Sequence, residues 1–338
     1  MAALLLGIVV LGFAGTIGLL VITAERVLIG RREEQSAIRR LTPAALAVVF
    51  EDGTEFPVLS RPDALVFAAL LGEFSAQVQG ASHDRITQYF EAQGHVRAAI
   101  AELSSRRPWR RAVAAYALGD MGSPASVGPL VAALDDERRD VRSAAARSLG
   151  QLGKPEAVEP LVRALSSGQI PRGVVCRSVL LLGEQAVPRL LPLLTHAEPE
   201  VRAVSAELIG LLGGAREAQQ LLARLRDTSA AVRGRAAIAL GRLGASDAYS
   251  GLDGTLRDRA PAVRAAAAEA LGLIGNAAAF APLREVARTD LFEPARAAAY
   301  ALGRLAPDLL EAAASEPGAG RFLREAADTA ALRARAPA

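Results

Sequence analysis

The 338-residue chain carries 39 basic and 36 acidic side chains, a formal net charge of +3, which excludes a nucleic-acid binder working through a large basic excess. Hydrophobic residues make up 51% of it at a mean hydropathy of +0.24, which excludes disorder along the whole length, and 4% aromatics leave Ala, Leu and Val to build a core of close-packed helices. One cysteine, Cys176, rules out an internal disulfide, and a single lysine, Lys154, and a single asparagine, Asn276, leave few of the usual catalytic side chains.

Residues 2–24 contain no charged side chain. At about 1.5 Å per residue such a run makes a helix of roughly 34 Å, enough to cross a hydrocarbon core of about 30 Å, so a transmembrane helix is predicted here. No basic segment precedes it and it is longer than a signal-peptide core, which favours an uncleaved anchor. Arg26, Arg31, Arg32, Arg39 and Arg40 all follow the run, so the positive-inside rule predicts a single pass through the inner (cytoplasmic) membrane, N-terminus outside and the remainder in the cytoplasm. Ala3, Gly7, Ala14 and Gly18 form one stripe that would admit a partner transmembrane helix, although small residues are common in membrane helices generally.

Residues 25–60 read as a juxtamembrane stalk and linker, with Asp52-Gly53 between short apolar runs marking either a hairpin or an ordered linker. Helices are predicted at 62–79, 84–93 and 95–104, and the segment 61–110 reads as a helical N-terminal cap.

From Arg111 to about residue 312 the chain nearly repeats itself in seven copies, among them VRSAAARSLGQLG (141–153), VRGRAAIALGRLG (232–244) and VRAAAAEALGLIG (263–275). The first glycine recurs every 30 or 31 residues, at Gly119, Gly150, Gly210, Gly241, Gly272 and Gly303, with Leu180 in its place in the third copy. Each copy predicts two helices. The first ends at the second glycine, a natural left-handed cap; the second starts with a proline in its first turn, as at Pro129, Pro160 and Pro188. Asp136, Asp227 and Asp258 stand six residues before Arg142, Arg233 and Arg264, and are expected to form a structural column along the stack that satisfies loops and pairs neighbours. In the third copy Ser166 replaces the aspartate, and in the last Ala295 replaces the arginine, so regularity is expected to lapse around 166–187. Residues 313–338 read as a C-terminal cap helix and tail.

This pattern, an Asp, then VRxxAAxALGxLG, then a proline-started helix ending in Leu, resembles HEAT repeats of the phycobilisome-lyase type. With LSSRRPWRRAVAAYALG (103–119) leading into it, the chain also resembles membrane-anchored bacterial HEAT-repeat proteins. The resemblance implies an all-α fold, a single N-terminal transmembrane helix followed by an α-α superhelix. It further implies a protein partner, possible association with a membrane glycosyltransferase, and no chemistry of its own; a lyase or isomerase subunit of the phycobilisome-lyase type is the alternative.

Among candidate sites, Arg106, Arg107, Trp109 and Arg110 gather guanidiniums around an indole and could contact a partner or an anion, against the plainer reading of a tryptophan packed on the cap. His83, Asp84 and His95 lack further ligands at metal spacing, Cys176 is expected to be a buried inert thiol, and Lys154 lies in no phosphate-binding motif. No cofactor, metal, small-molecule substrate or nucleic acid is expected. The residues predict a non-catalytic scaffold that binds a protein on the concave face of the stack, expected to be lined by the second helices, with lipid contacted through residues 2–24.

Overall fold

The computed structural model describes residues 35–51, 54–75, 77–166 and 168–335, and every regular element among them is helical. The predicted membrane span with Ala3, Gly7, Ala14 and Gly18 lies outside these residues; no helix among the described ones is long and apolar enough to cross a membrane. The chain divides into two compact units, one of residues up to Ala101 with Asp120–Ser123, the other of Glu102–Gly119 with Pro124 onward.

The first unit holds α1 (residues 35–50), α2 (Arg61–Ser75), α3 (Ala81–Ala92) and α4 (His95–Glu102). A hairpin across 46–60 is not what forms. Leu41, Ala45, Val48 and Val49 are all buried, and that spacing of three and four is the helical period, so the apolar run closes α1 and residues 54–60 follow without regular structure. The Arg85 guanidinium donates to the carbonyls of Val48 (2.8 Å) and Thr54 (2.7 Å), satisfying main-chain groups at the end of α1. Tyr89 is the centre of the core, with the rings of Phe56, Phe67 and Phe90 at 5.4, 5.3 and 5.8 Å.

The second unit alternates first and second helices. The first helices are α5 (Pro108–Met121), α7 (Arg139–Leu152), α9 (Arg172–Leu181), α11 (Pro199–Leu212), α13 (Ala230–Arg242), α15 (Pro261–Ile274) and α17 (Phe292–Leu305). The second helices are α6 (Val127–Ala132), α8 (Val158–Ser166), α10 (Val187–Leu190), α12 (Ala218–Arg224), α14 (Tyr249–Thr255), α16 (Phe280–Thr289) and α18 (Pro307–Ser315). Seven pairs result, as the repeat predicts, consistent with an α-solenoid, and α19 (Arg321–Arg335) follows as the cap helix. The second helices are short because their first turn is 3-10, at Pro124–Ser126 and Pro155–Ala157 for example. Each buries one leucine completely between the layers, Leu130, Leu161, Leu190, Leu221, Leu252, Leu283 and Leu310 in order. The second glycine caps as expected at Gly153 (φ 63) and Gly275 (φ 76). In the third copy the first helix shortens to ten residues, the lapse the sequence predicts.

Candidate functional site

The repeated arginines and aspartates form a ladder in which guanidinium pairs with carboxylate across neighbouring repeats. Arg111, Arg202, Arg233 and Arg264 each grip the carboxylate of the next repeat, Asp136, Asp227, Asp258 and Asp290, through Nε and Nη2. The remaining Nη1 donates to the main-chain oxygen six residues back, as Arg142 does to Asp136 (2.7 Å) and Arg233 to Asp227 (3.0 Å). Each carboxylate also accepts a backbone N–H, that of Arg138, Ser229, Ala260 or Leu291. The sequence led us to expect a column that pairs neighbours but named only Asp136, Arg142, Asp227, Arg233, Asp258 and Arg264 in it; Arg111, Arg202 and Asp290 complete the ladder. The ladder lapses at the third copy, where Arg142 reaches across the layer to the Gln169 carbonyl (3.2 and 2.9 Å) in place of a carboxylate and Arg172 turns instead to Glu200 and Glu207.

The first glycine of each copy brings the first helices together. A Cβ on Gly150, Gly210, Gly241 or Gly272 would lie 2.5, 2.5, 2.6 or 2.8 Å from the Cα of Ser178, Ala239, Ala270 or Ala301 on the next first helix. These helices therefore meet almost backbone to backbone, and the small residues that permit it leave their outer side open.

That open side carries the surface features. Between Pro108 and Leu305 the exposed large apolar side chains among the described residues are Trp109, Val113, Tyr116, Leu180, Leu181, Leu211, Leu273, Leu291, Phe292 and Tyr300, all on first helices or immediately before one. Helices α13, α15 and α17 enclose a groove of about 760 Å³, floored by Gly234, Ala266 and Ala297. Its walls are Ile238, Tyr300 and the charged Arg235, Glu269, Glu293, Arg296 and Arg304. The groove thus lies on the first helices, whereas the sequence led us to expect the binding face on the second ones.

The candidate cluster at the start of this unit divides. Trp109 is 60% exposed with the Arg110 guanidinium 5.5 Å from its ring centroid. Arg106, Arg107 and Arg110 are exposed, while Arg111 belongs to the ladder. His95 packs against Tyr89 and Phe90 at 6.1 and 5.9 Å, a structural histidine. Cys176 is half-buried; burial raises its thiol pKa, Glu207 adds to the rise, and Arg172 opposes it.

The family profile described as HEAT repeats matches residues 96–178, 218–303 and 255–336, more than half of the chain. No curated protein matches the sequence. Among solved structures the chain is similar to the complex of CpcE and CpcF of phycocyanin lyase from Nostoc sp. PCC7120, at 24% identity over 70% of this chain and 94% of that one, with a TM-score of 0.33. It is similar to YibA of E. coli at 19% identity over 75% and 99% (TM-score 0.38), and to importin beta at 16% over 83% and 45% (TM-score 0.47).

Proposed function

The chain belongs to the HEAT-repeat family, and we propose that it is a non-catalytic scaffold which holds a protein partner against the first helices of its repeats, tethered to the inner membrane by residues 2–24. The observation that carries this reading is that, between Pro108 and Leu305, the exposed large apolar side chains among the described residues belong to the first helices or to the residue before one. From α6 to α16 no second helix exposes a large apolar side chain among the described residues, while α13, α15 and α17 form a groove that the exposed Tyr300 lines and whose Glu269, Glu293, Arg296 and Arg304 have no ion-pair partner within 4.0 Å among the described residues. Apolar contacts supply association energy and unpaired charges of both signs supply selectivity. The surface is preformed, so binding costs little ordering, and a membrane tether raises the local concentration of a membrane-borne partner such as a glycosyltransferase.

The test is purification of the full chain in mild detergent with its bound proteins. Gly234 has room for a side chain, the nearest atoms to an added Cβ lying at 3.9 Å, so Gly234→Arg with Ala266→Arg obstructs the groove without disturbing the layers. Gln219→Arg with Gln220→Arg places the same charge on the exposed side of α12 as a control. Loss of the partner from the groove variant alone is expected; equal retention by both overturns the partner surface. A chain lacking residues 1–34 should leave the membrane fraction, and recovery of the intact chain without detergent would overturn the tether.

A further inference from the structure

At the other end of the same face lies a cationic aromatic patch. Trp109, Val113 and Tyr116 are 60%, 58% and 42% exposed. Their spacing of four and three places them in one stripe along α5. Arg147 of α7 lies over the Tyr116 ring at 6.0 Å and donates a hydrogen bond to its hydroxyl, as Arg110 lies over Trp109. These cations are poorly neutralised. Arg106, Arg107 and Arg147 have no carboxylate within 4.0 Å among the described residues, and Arg110 faces only the half-exposed Glu102 at 3.5 Å.

We propose that this patch binds an acidic segment of a protein partner, its carboxylates on Arg106, Arg107, Arg110 and Arg147 and an adjoining apolar side chain on the stripe of Trp109, Val113 and Tyr116. The inference rests on the reading of the first-helix side as the partner surface and gives it a chemistry. Stacked guanidiniums keep their edge donors free, so each can accept a carboxylate while its face covers a ring. Trp109 stands two residues before Arg111, as Ala231 and Ala262 of the groove stand before Arg233 and Arg264. The stripe therefore faces the groove side of the repeats, and its adjoining apolar and cationic groups match a segment that alternates carboxylates with an apolar side chain.

Trp109 is the only tryptophan of the chain, so its fluorescence reports on this patch alone. The full chain in non-ionic detergent is titrated with a short synthetic peptide of Glu residues flanking Leu, and with its Lys counterpart. A saturable blue shift with the acidic peptide is expected. It should weaken about tenfold in R106E/R107E, two exposed sites whose exchange leaves the thermal melt unchanged, and that variant should gain the Lys peptide. No response to the acidic peptide, an equal response in the variant, or a response only to phosphatidylglycerol vesicles overturns the proposal. Should the partner leave the groove variant yet stay on R106E/R107E, the scaffold stands and this assignment falls. Should it stay on the groove variant, the scaffold reading itself fails.

Discussion

The guanidinium of Arg233 meets the carboxylate of Asp258, one repeat further on, in two parallel bonds of 2.7 Å, with its third nitrogen on the Asp227 carbonyl. One side chain thus joins two repeats and closes a loop. Both partners are shielded, at 7% and 12% side-chain exposure, so the pair escapes most of the screening that weakens surface ion pairs. Arg233→Lys keeps the charge but loses the fork, and should cost about 2 kcal/mol in urea unfolding. Arg142→Lys, whose partner across the layer is only the Gln169 carbonyl, should cost less.

The same ladder makes stability depend on acid. In Asp258 and Asp290 the hydrogen bonds from Arg233 and Arg264 are the leading influence and outweigh burial. In Asp136 and Asp227 burial is the largest single influence and would raise the pKa, but the bonds from Arg111 and Arg202 with those from the backbone N–H of Arg138 and Ser229 together overcome it. All four carboxyls lie below their ordinary value. Their contribution is complete above the unfolded aspartate pKa of about 3.9 and is lost as the pH falls through the lower folded values. Urea midpoints should stay level from neutral pH down to about 4 and drop below it, and Asp258→Asn should flatten that drop.

Glycines of the same helical pattern should respond with opposite signs. Gly241→Ala forces a Cβ to 2.6 Å from the Cα of Ala270, and should destabilise by about 1–3 kcal/mol through overpacking. Gly254 of α14 has nothing within 4 Å of an added Cβ, and Gly254→Ala should stabilise by about 0.5–1 kcal/mol from helix propensity. A pair of thermal melts against the parent decides both.

Cys176 should be slow toward iodoacetamide at neutral pH. Burial and the neighbouring Glu207 carboxylate both disfavour the thiolate, with Arg172 the counterweight. Glu207→Gln removes one of the two restraints and leaves the arginine in place, so alkylation of the native chain should accelerate. An unchanged rate would mean that access governs reactivity here.

The stack was legible in the sequence because its period is written in the small residues. Gly150, Gly210, Gly241 and Gly272 recur at 30 or 31, and the serine or alanine each one meets lies 28 or 29 positions later. The sequence reading gave conformational meaning to the second glycine only; that the first permits backbone contact needs the neighbouring helix in view. Asp227 and Arg233 were legible as members of one column, but which arginine meets which carboxylate needs the fold, which sends the Asp227 carboxylate back to Arg202 and the Arg233 guanidinium forward to Asp258. The groove between α13, α15 and α17 was not legible because its lining residues Gly234, Ala266 and Ala297 are as small as those that pack between helices, and only the fold tells the two apart. Across 46–60 the Asp52-Gly53 signal left a hairpin or an ordered linker open; residues 46–50 instead end α1, where Val48 and Val49 are buried, and 54–60 follow without regular structure.

An array with matching ends could add whole molecules head to tail and grow into filaments. Here the final layer supplies no guanidinium, since Ala295 stands at that rung, and α19 lies over it with Phe322 edge-on to Phe292 at 5.1 Å and Leu323 and Ala326 buried. The helix turns Arg321, Arg324, Glu325 and Asp328 outward, so an incoming chain meets charge and water instead of a bare apolar layer. A layer covered in this way offers no bare stacking face to the first repeat of a second copy.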